Sequence, residues 1–165
     1  MSTYLVTGAC GFIGSNFVHD ILEREPGASV VALDNMSFAA NEANLDGVRD
    51  RIHLVVEDIC NFTGLLEVYG RFRPDFVVNF AAESHNDRAV LDPSAFARTN
   101  ALGAQILLEA TRRQDRHPVK RHLHVSTIEV YGELAPDAAY FTEGSPLNAK
   151  TPYSAAKAAG DQFVR

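Results

Sequence analysis

The chain has 165 residues, of which 46% are apolar and 22% charged, and its formal net charge is −6. This length and composition predict one globular domain, whereas the negative charge argues against a nucleic-acid-binding surface. No apolar run approaches the ~20 residues that cross a bilayer, so no membrane segment is expected. Two cysteines and a first strand that begins without a signal segment favour a cytoplasmic protein.

Strands and helices are predicted to alternate along the chain. Apolar runs indicate the strands, and capping or turn residues bound the helices between them. The expected strands are 3–7, 29–33, 52–56, 76–80 and 122–126, and the expected helices are 15–24, 61–71, 93–114 and 152–165. Such alternation predicts an α/β fold with a doubly wound parallel sheet.

A glycine-rich loop follows the first strand. Gly8 allows a tight turn, Gly11 lets the backbone approach a pyrophosphate, and Gly14 lets the helix pack close to the strand. Phe12 and Ile13 stand between these glycines, where a helix N-terminus offers N–H groups and partial positive charge to phosphates. The loop predicts a Rossmann dinucleotide-binding domain over residues 1–165.

The second strand runs into Asp34, about 20 residues beyond Gly14, where a carboxylate accepts from the adenosine ribose. Asn35 follows it, and no arginine or lysine stands beside the pair. A carboxylate there would repel a 2′-phosphate, so NAD is favoured over NADP. Asp58, the segment 81–84 and Thr127 follow other predicted strands. These strand ends are expected to meet in one crevice, since ligands lie at the carboxyl ends of parallel strands.

Tyr153 and Lys157 are four residues apart on the last predicted helix, so both side chains can face one site. The ammonium, reinforced by a cationic nicotinamide ring, is expected to lower the pKa of Tyr153 from its ordinary value of about 10. The Thr127 hydroxyl can hydrogen-bond a sugar hydroxyl or its oxidised carbonyl while Tyr153 moves the proton.

These motifs resemble those of the extended short-chain dehydrogenases/reductases that act on nucleotide sugars, and most of all the nucleotide-sugar 4,6-dehydratases. The matching segments are 7–17, 58–60, 81–85 with Asp87 and Arg88, 92–93, 98–100 with Leu102 and Gly103, 124–127, 129–132 and 153–159. The segment Ala81 to His85 with Asp87 and Arg88 is the most specific of them. The resemblance covers nearly the whole chain.

The resemblance implies an NAD-dependent lyase that converts a nucleotide sugar, with dTDP-glucose expected, into its 4-keto-6-deoxy form. Tyr153 would take the C4 hydroxyl proton as hydride leaves C4. Glu129 would take the C5 proton as water leaves C6, and hydride would return to C6. Thr127 would bind the C4 oxygen, and Lys157 would hold the nicotinamide ribose.

The expected binding residues form two sets. The cofactor-binding set is Gly8, Gly11, Phe12, Ile13, Gly14, Asp34, Asn35, Asp58, Ile59, Ala81, Ala82, Asn100, Tyr153 and Lys157. The substrate-binding set is Glu83, Ser84 and Thr127. No metal site is predicted, because the histidines and cysteines lack ligand spacing. The resemblance also implies a homodimer through the helices at 93–114 and 152–165.

Two departures from the family pattern leave other functions open. Ile128 stands where the family has the aspartate that protonates the leaving C6 hydroxyl, and isoleucine carries no proton to give. Family members also continue past the Tyr-x-x-x-Lys helix into a substrate-binding lobe, so this chain is expected to be an N-terminal portion or a degenerate copy. A 4-epimerase or decarboxylase would share the C4 oxidation without needing that acid. A non-catalytic NAD-binding protein is the third alternative.

Overall fold

A computed structural model describes residues 1–137 and 139–165 and contains a parallel five-stranded sheet. Its strands are β1 (Thr3–Thr7), β2 (Ser29–Asp34), β3 (Ile52–Val56), β4 (Phe76–Asn79) and β5 (Arg121–His124). They lie in the order β3-β2-β1-β4-β5, and each neighbouring pair is parallel. The chain therefore winds outward in both directions from β1. The point between β1 and β4 is where such sheets bind their ligands.

Helices connect the strands. They are α1 (Phe12–Arg24), α2 (Phe62–Phe72), α3 (Asn86–Leu91), α4 (Pro93–Phe96), α5 (Ala104–Arg112) and α6 (Pro152–Val164). A π-helical segment, Ala97–Gly103, joins α4 to α5. Short 3₁₀ turns occupy Glu42–Leu45, Arg49–Arg51 and Ile128–Tyr131. Within the described parts of the chain, none of the helices combines the length and apolar character of a membrane span.

The hydrophobic core lies on both faces of the sheet. Leu5 of β1 packs in one cluster with Leu65 of α2 and Leu107 of α5. The next residue, Val6, faces the opposite side and packs with Val18 of α1. Successive strand residues alternate between the two clusters because side chains alternate across a strand. Burial on both faces explains why the central strands β1, β2 and β4 read as largely apolar runs. The predicted doubly wound α/β class is confirmed.

Several predicted boundaries differ from the structure. The first helix begins at Phe12 rather than residue 15, because its N-cap is Gly11, which has no capping side chain to mark it in the sequence. The fifth strand occupies Arg121–His124 rather than 122–126. The helix expected at 93–114 is interrupted by the π-helical segment and ends at Arg112. Helix α3 was not predicted.

Candidate active site

The glycine loop has the shape that its spacing predicts. Gly8 has φ +67°, and a Cβ there would lie 2.7 Å from the backbone nitrogen of Ala81. A Cβ on Gly14 would collide with the carbonyl of Gly8. At Gly11 the nearest atom to a Cβ would be the Gly8 carbonyl oxygen, at an ordinary 3.4 Å. The loop is thus closed against the sheet at Gly8 and Gly14 and open at Gly11.

The open side of the loop leads into the first turn of α1. No side chain caps this helix at Gly11, so its first N–H groups lack both intrahelical partners and a capping acceptor. The side chains of Phe12 and Ile13 are exposed. A helix end of this kind can accept a phosphate, because its N–H groups and its dipole both favour an anion.

Asp34 holds the glycine loop against the end of β2. Its carboxylate is 7% exposed and accepts from the Cys10 backbone N–H at 2.9 Å and from the Met36 N–H at 3.0 Å. Each carboxylate oxygen has a second lone pair, so both can also accept from a ribose hydroxyl. The sequence did not indicate that Asp34 also has this structural role, which does not depend on a cofactor.

A cleft lies at the carboxyl ends of the strands. The predicted residues that line it are Gly8, Gly11, Asp34, Asn35, Ile59, Ala81, Ala82 and Glu83. No lysine or arginine is among the described residues that line this cleft. The described lining therefore contains apolar, neutral polar and acidic residues, which suits an uncharged ribose better than a 2′-phosphate.

Two predicted cofactor residues make other contacts. Asp58 accepts from the Cys60 backbone N–H at 2.8 Å and lies 4.0 Å from the Arg98 guanidinium. Asn100 is buried in the π-helical segment, and its amide forms paired bonds of 2.8 and 2.9 Å with the backbone N–H and carbonyl of Glu83. Asn100 thus holds the loop after β4 in place, while its neighbour Thr99 lines the cleft.

A second group of predicted residues surrounds the end of β5 and the start of α6. Lys157 is 3% exposed, and its ammonium donates to the Val125 carbonyl at 2.6 Å. Burial lowers the pKa of Lys157 to about 8, against the opposing effect of the Asp161 carboxylate. The ammonium therefore remains mostly protonated at neutral pH and is fixed to the β5 loop.

The pKa of Tyr153 is raised, which corrects the expected effect of Lys157. Burial is the main cause, the Thr127 hydroxyl acts in the opposite direction, and the Glu129 charge adds to the rise. Lys157 is not among these causes, and its ammonium donates to the Val125 carbonyl. Spacing alone therefore did not predict the pKa of Tyr153. The part assigned to a nicotinamide ring stays a prediction.

The loop after β5 presents the remaining predicted catalytic residues. Thr127 caps the 3₁₀ turn Ile128–Tyr131 and accepts from the Glu129 backbone N–H at 3.3 Å. The Glu129 carboxylate accepts from the Asn86 side-chain amide at 3.0 Å. Ile128 is 72% exposed and lines a separate cleft with Thr127. Ile128 and Glu129, adjacent residues of one turn, thus present an apolar side chain and a hydrogen-bond acceptor.

The segment between β4 and α4 connects the two groups. Glu83 lines the cleft and forms a 3.1 Å ion pair with Arg88. Three residues after Glu83, Asn86 contacts Glu129. His85 between them has φ +77°, a left-handed conformation that is costly outside glycine and frequent at functional sites. The Ser84 hydroxyl lies 3.0 Å from the His85 ring.

The described residues contain no group of three or more histidine, cysteine or acidic side chains that could hold a metal ion. A glycine loop at the switch point of a doubly wound sheet, with a Tyr-x-x-x-Lys helix beside it, defines a dinucleotide-binding protein of the short-chain dehydrogenase/reductase class.

Known proteins match almost the whole chain. The family model described as GDP-mannose 4,6 dehydratase matches residues 5–165. A dTDP-glucose 4,6-dehydratase of Mycobacterium tuberculosis is 45% identical over 162 residues, which cover 98% of this chain and 47% of the relative. The crystal structure of DesIV, a dTDP-glucose 4,6-dehydratase from Streptomyces venezuelae with NAD bound, has a TM-score of 0.88 and 40% identity over 98% of this chain and 50% of its own.

An epimerase is also similar. The UDP-glucose 4-epimerase of Thermus thermophilus, solved with NAD, has a TM-score of 0.85 and 33% identity over 98% of this chain and 49% of its own. The chain belongs to the GDP-mannose 4,6 dehydratase family of extended short-chain dehydrogenases/reductases. It spans about half the length of the curated relatives it matches. The prediction of NAD is confirmed for the family, whose solved members carry it.

Proposed function

We propose that this chain forms the NAD-binding and alcohol-oxidising part of a nucleotide-sugar 4,6-dehydratase, with dTDP-glucose as its substrate. The observation that carries the proposal is the arrangement of Thr127, Glu129 and Tyr153 around the β5 loop and the start of α6. An alcohol oxidation needs only the hydroxyl groups of Thr127 and Tyr153. An elimination also needs a base, and the Glu129 carboxylate lies beside these two hydroxyls.

The cleft fits NAD. Gly11 leaves room where a pyrophosphate would approach, and the uncapped first turn of α1 would bind its oxygens. Asp34 would accept from the adenosine ribose, and Ile59 would lie against the adenine. When bound, NAD supplies the hydride acceptor that the oxidation needs. We take residues 1–165 as one NAD-binding domain.

The protein's own groups would move the protons. Tyr153 would accept the C4 hydroxyl proton, and the Thr127 hydroxyl would bind the C4 oxygen as it becomes a carbonyl. The raised pKa of Tyr153 means that its phenolate has to be favoured by positive charge, which the cationic nicotinamide ring of NAD⁺ would bring near it. Lys157 has two further N–H donors beyond its bond to Val125, and these would hold the nicotinamide ribose.

Glu129 would remove the C5 proton once C4 is a ketone, because a neighbouring carbonyl acidifies that position. The C6 hydroxyl leaves in the same step and needs a proton. Ile128 cannot supply it, so water would have to act as the acid. A positioned acid contributes about 10²–10⁴-fold, and the elimination should be correspondingly slow.

A 4-epimerase is the second candidate. The single observation in its favour is Ile128, since epimerisation oxidises C4 and returns hydride to C4 without releasing water. A cytoplasmic location and a homodimer through α4, α5 and α6 also stay proposals. The exposed Leu102 and Phe163, on the π-helical segment and α6, support the dimer because they offer apolar surface on the two elements concerned.

Product analysis separates the candidates. The full-length natural protein would be incubated with dTDP-glucose and NAD⁺, and the products followed by proton NMR. A C6 methyl signal with a 4-keto sugar is expected, because only dehydration converts C6 to a methyl group. A 4-epimer without a methyl signal would favour the epimerase, and no turnover with intact NAD binding would favour a non-catalytic protein.

A further inference from the structure

One side-chain amide joins the loop of Glu129 to the helix of Tyr153. Asn86, the first residue of α3, donates from its side-chain nitrogen to the Glu129 carboxylate at 3.0 Å. Its side-chain oxygen accepts from the Thr151 hydroxyl at 2.9 Å. A carboxylate has no proton to donate, so only the amide nitrogen can face Glu129. The two bonds therefore fix one orientation of the amide.

Thr151 is the N-cap of α6. Its hydroxyl oxygen accepts from the Ser154 backbone N–H at 3.1 Å, and Ser154 returns the bond in a capping box. Tyr153 is the second residue of this helix. Any displacement of the Asn86 amide therefore changes the position of Glu129 relative to the start of α6.

We propose that Asn86 is a positioning residue that sets the Glu129 carboxylate at a fixed place relative to Tyr153, so that the two groups act in turn on adjacent sugar carbons. This inference rests on the proposed dehydratase function. The amide bond engages one oxygen, Oε2, and leaves Oε1 free to take a proton. Misplacement of a reacting group by about 1 Å can cost roughly 10²-fold in rate. Removal of the Asn86 amide should therefore slow mainly the step that Glu129 performs.

The test separates the two chemical steps in the full-length natural protein. Tyr153 serves the oxidation, which is followed as NADH absorbance in a single turnover with dTDP-glucose. Glu129 serves the elimination, which is followed as decay of that absorbance. Asn86→Ala is expected to slow the decay of the NADH absorbance by about 10–100-fold. The rate at which this absorbance rises should fall by less than about threefold, so NADH accumulates.

Two further variants control for folding. Val90→Ala changes an exposed side chain on the same helix and is expected to leave both phases unchanged. Asn86→Asp keeps the acceptor for Thr151 but loses the donor, and is expected to slow the decay as Asn86→Ala does. Equal slowing of both phases by Asn86→Ala, or no slowing of either, would overturn the proposal.

A double-mutant cycle tests the contact without turnover. If the wild-type protein does not act on dTDP-glucose, the proposed function fails while the contact stays testable. Asn86→Ala and Glu129→Ala, singly and together, would be compared by urea unfolding. A coupling of about 3–10-fold in the unfolding equilibrium constant is expected for such a hydrogen bond. Independent effects of the two substitutions would overturn the positioning role in either case.

Discussion

At the scale of single residues, Lys157 differs most from what its sequence motif suggests. The motif places a cation near Tyr153, but burial and the Val125 carbonyl dominate the environment of the ammonium. The pKa of the lysine falls to about 8 through desolvation, and the pKa of the tyrosine rises for the same reason. Both shifts disfavour the charged form of the side chain.

The titration of Lys157 should be visible in stability. Its pKa falls from an ordinary 10.5 to about 8 on folding. Between these values the unfolded chain holds a proton that the folded chain has released, so stability rises with pH. Wild-type protein should gain up to about 3 kcal/mol over Lys157→Met between pH 7 and 10.5. Urea unfolding across this range measures the difference.

Lys150 supplies the control for that experiment, because its side chain is exposed. Lys150→Met should keep the wild-type dependence of stability on pH. If Lys157→Met also keeps that dependence, the pKa of Lys157 is not lowered on folding.

Ile128 makes a second prediction at this scale. Ile128→Asp restores a proton donor beside Glu129 and should accelerate release of water from C6 by about 10²-fold, the lower end of what a positioned acid contributes. Ile128→Asn has similar shape and no acidic proton, so it should give little gain. Single-turnover formation of the 4-keto-6-deoxy product in the full-length protein provides the rates. Equal gains from both variants would exclude proton donation as the cause.

At the scale of elements, the strands and the glycine loop were predictable and α3 was not. Central strands buried on both faces carry unbroken apolar runs, and Gly8 and Gly14 are required where a Cβ meets backbone. Helix α3 has six residues and follows a left-handed His85, so neither periodicity nor a capping residue marks it.

The candidate site likewise contains features that were predictable from the sequence and features that were not. The cleft residues follow strands directly, and their positions were predictable because strand ends converge. The contact of Asn86 with Glu129 joins residues far apart in sequence, and so does the amide pairing of Asn100 with Glu83. Such contacts depend on how the loops pack, and no local pattern encodes them.

The junction of β1 with α1 makes a prediction for these elements. Gly14→Ala places a Cβ against the Gly8 carbonyl, so the helix must move away from the strand. We expect a loss of about 1–3 kcal/mol in the free energy of unfolding, typical of overpacking, together with loss of NAD⁺ binding. Urea unfolding and calorimetric titration measure these effects.

Gly27 offers the matched control, because a Cβ there meets nothing within 4 Å. Gly27→Ala should leave stability within about 0.5 kcal/mol of the wild type and leave NAD⁺ binding unchanged. If Gly14→Ala behaves like Gly27→Ala, the close approach of α1 to the loop is not required.

At the scale of the whole molecule, the fold brings the cofactor cleft and the loop that carries Thr127 and Glu129 to neighbouring strand ends. The segment carrying Glu83 and Asn86 connects them, since one residue lines the cleft and the other contacts Glu129. Under the proposed dehydratase function, we expect that hydride taken from C4 of the sugar would remain in the site and return to C6 of the same molecule.

Isotope transfer tests that claim most directly. The full-length natural protein would act on dTDP-glucose that carries deuterium at C4, with unlabelled NAD⁺, and the product would be examined by deuterium NMR. If the protein is a dehydratase as proposed, the product is expected to be a 4-keto-6-deoxy sugar with deuterium in its C6 methyl group. Deuterium retained at C4 of an epimerised sugar, or a substrate recovered unchanged, would contradict it.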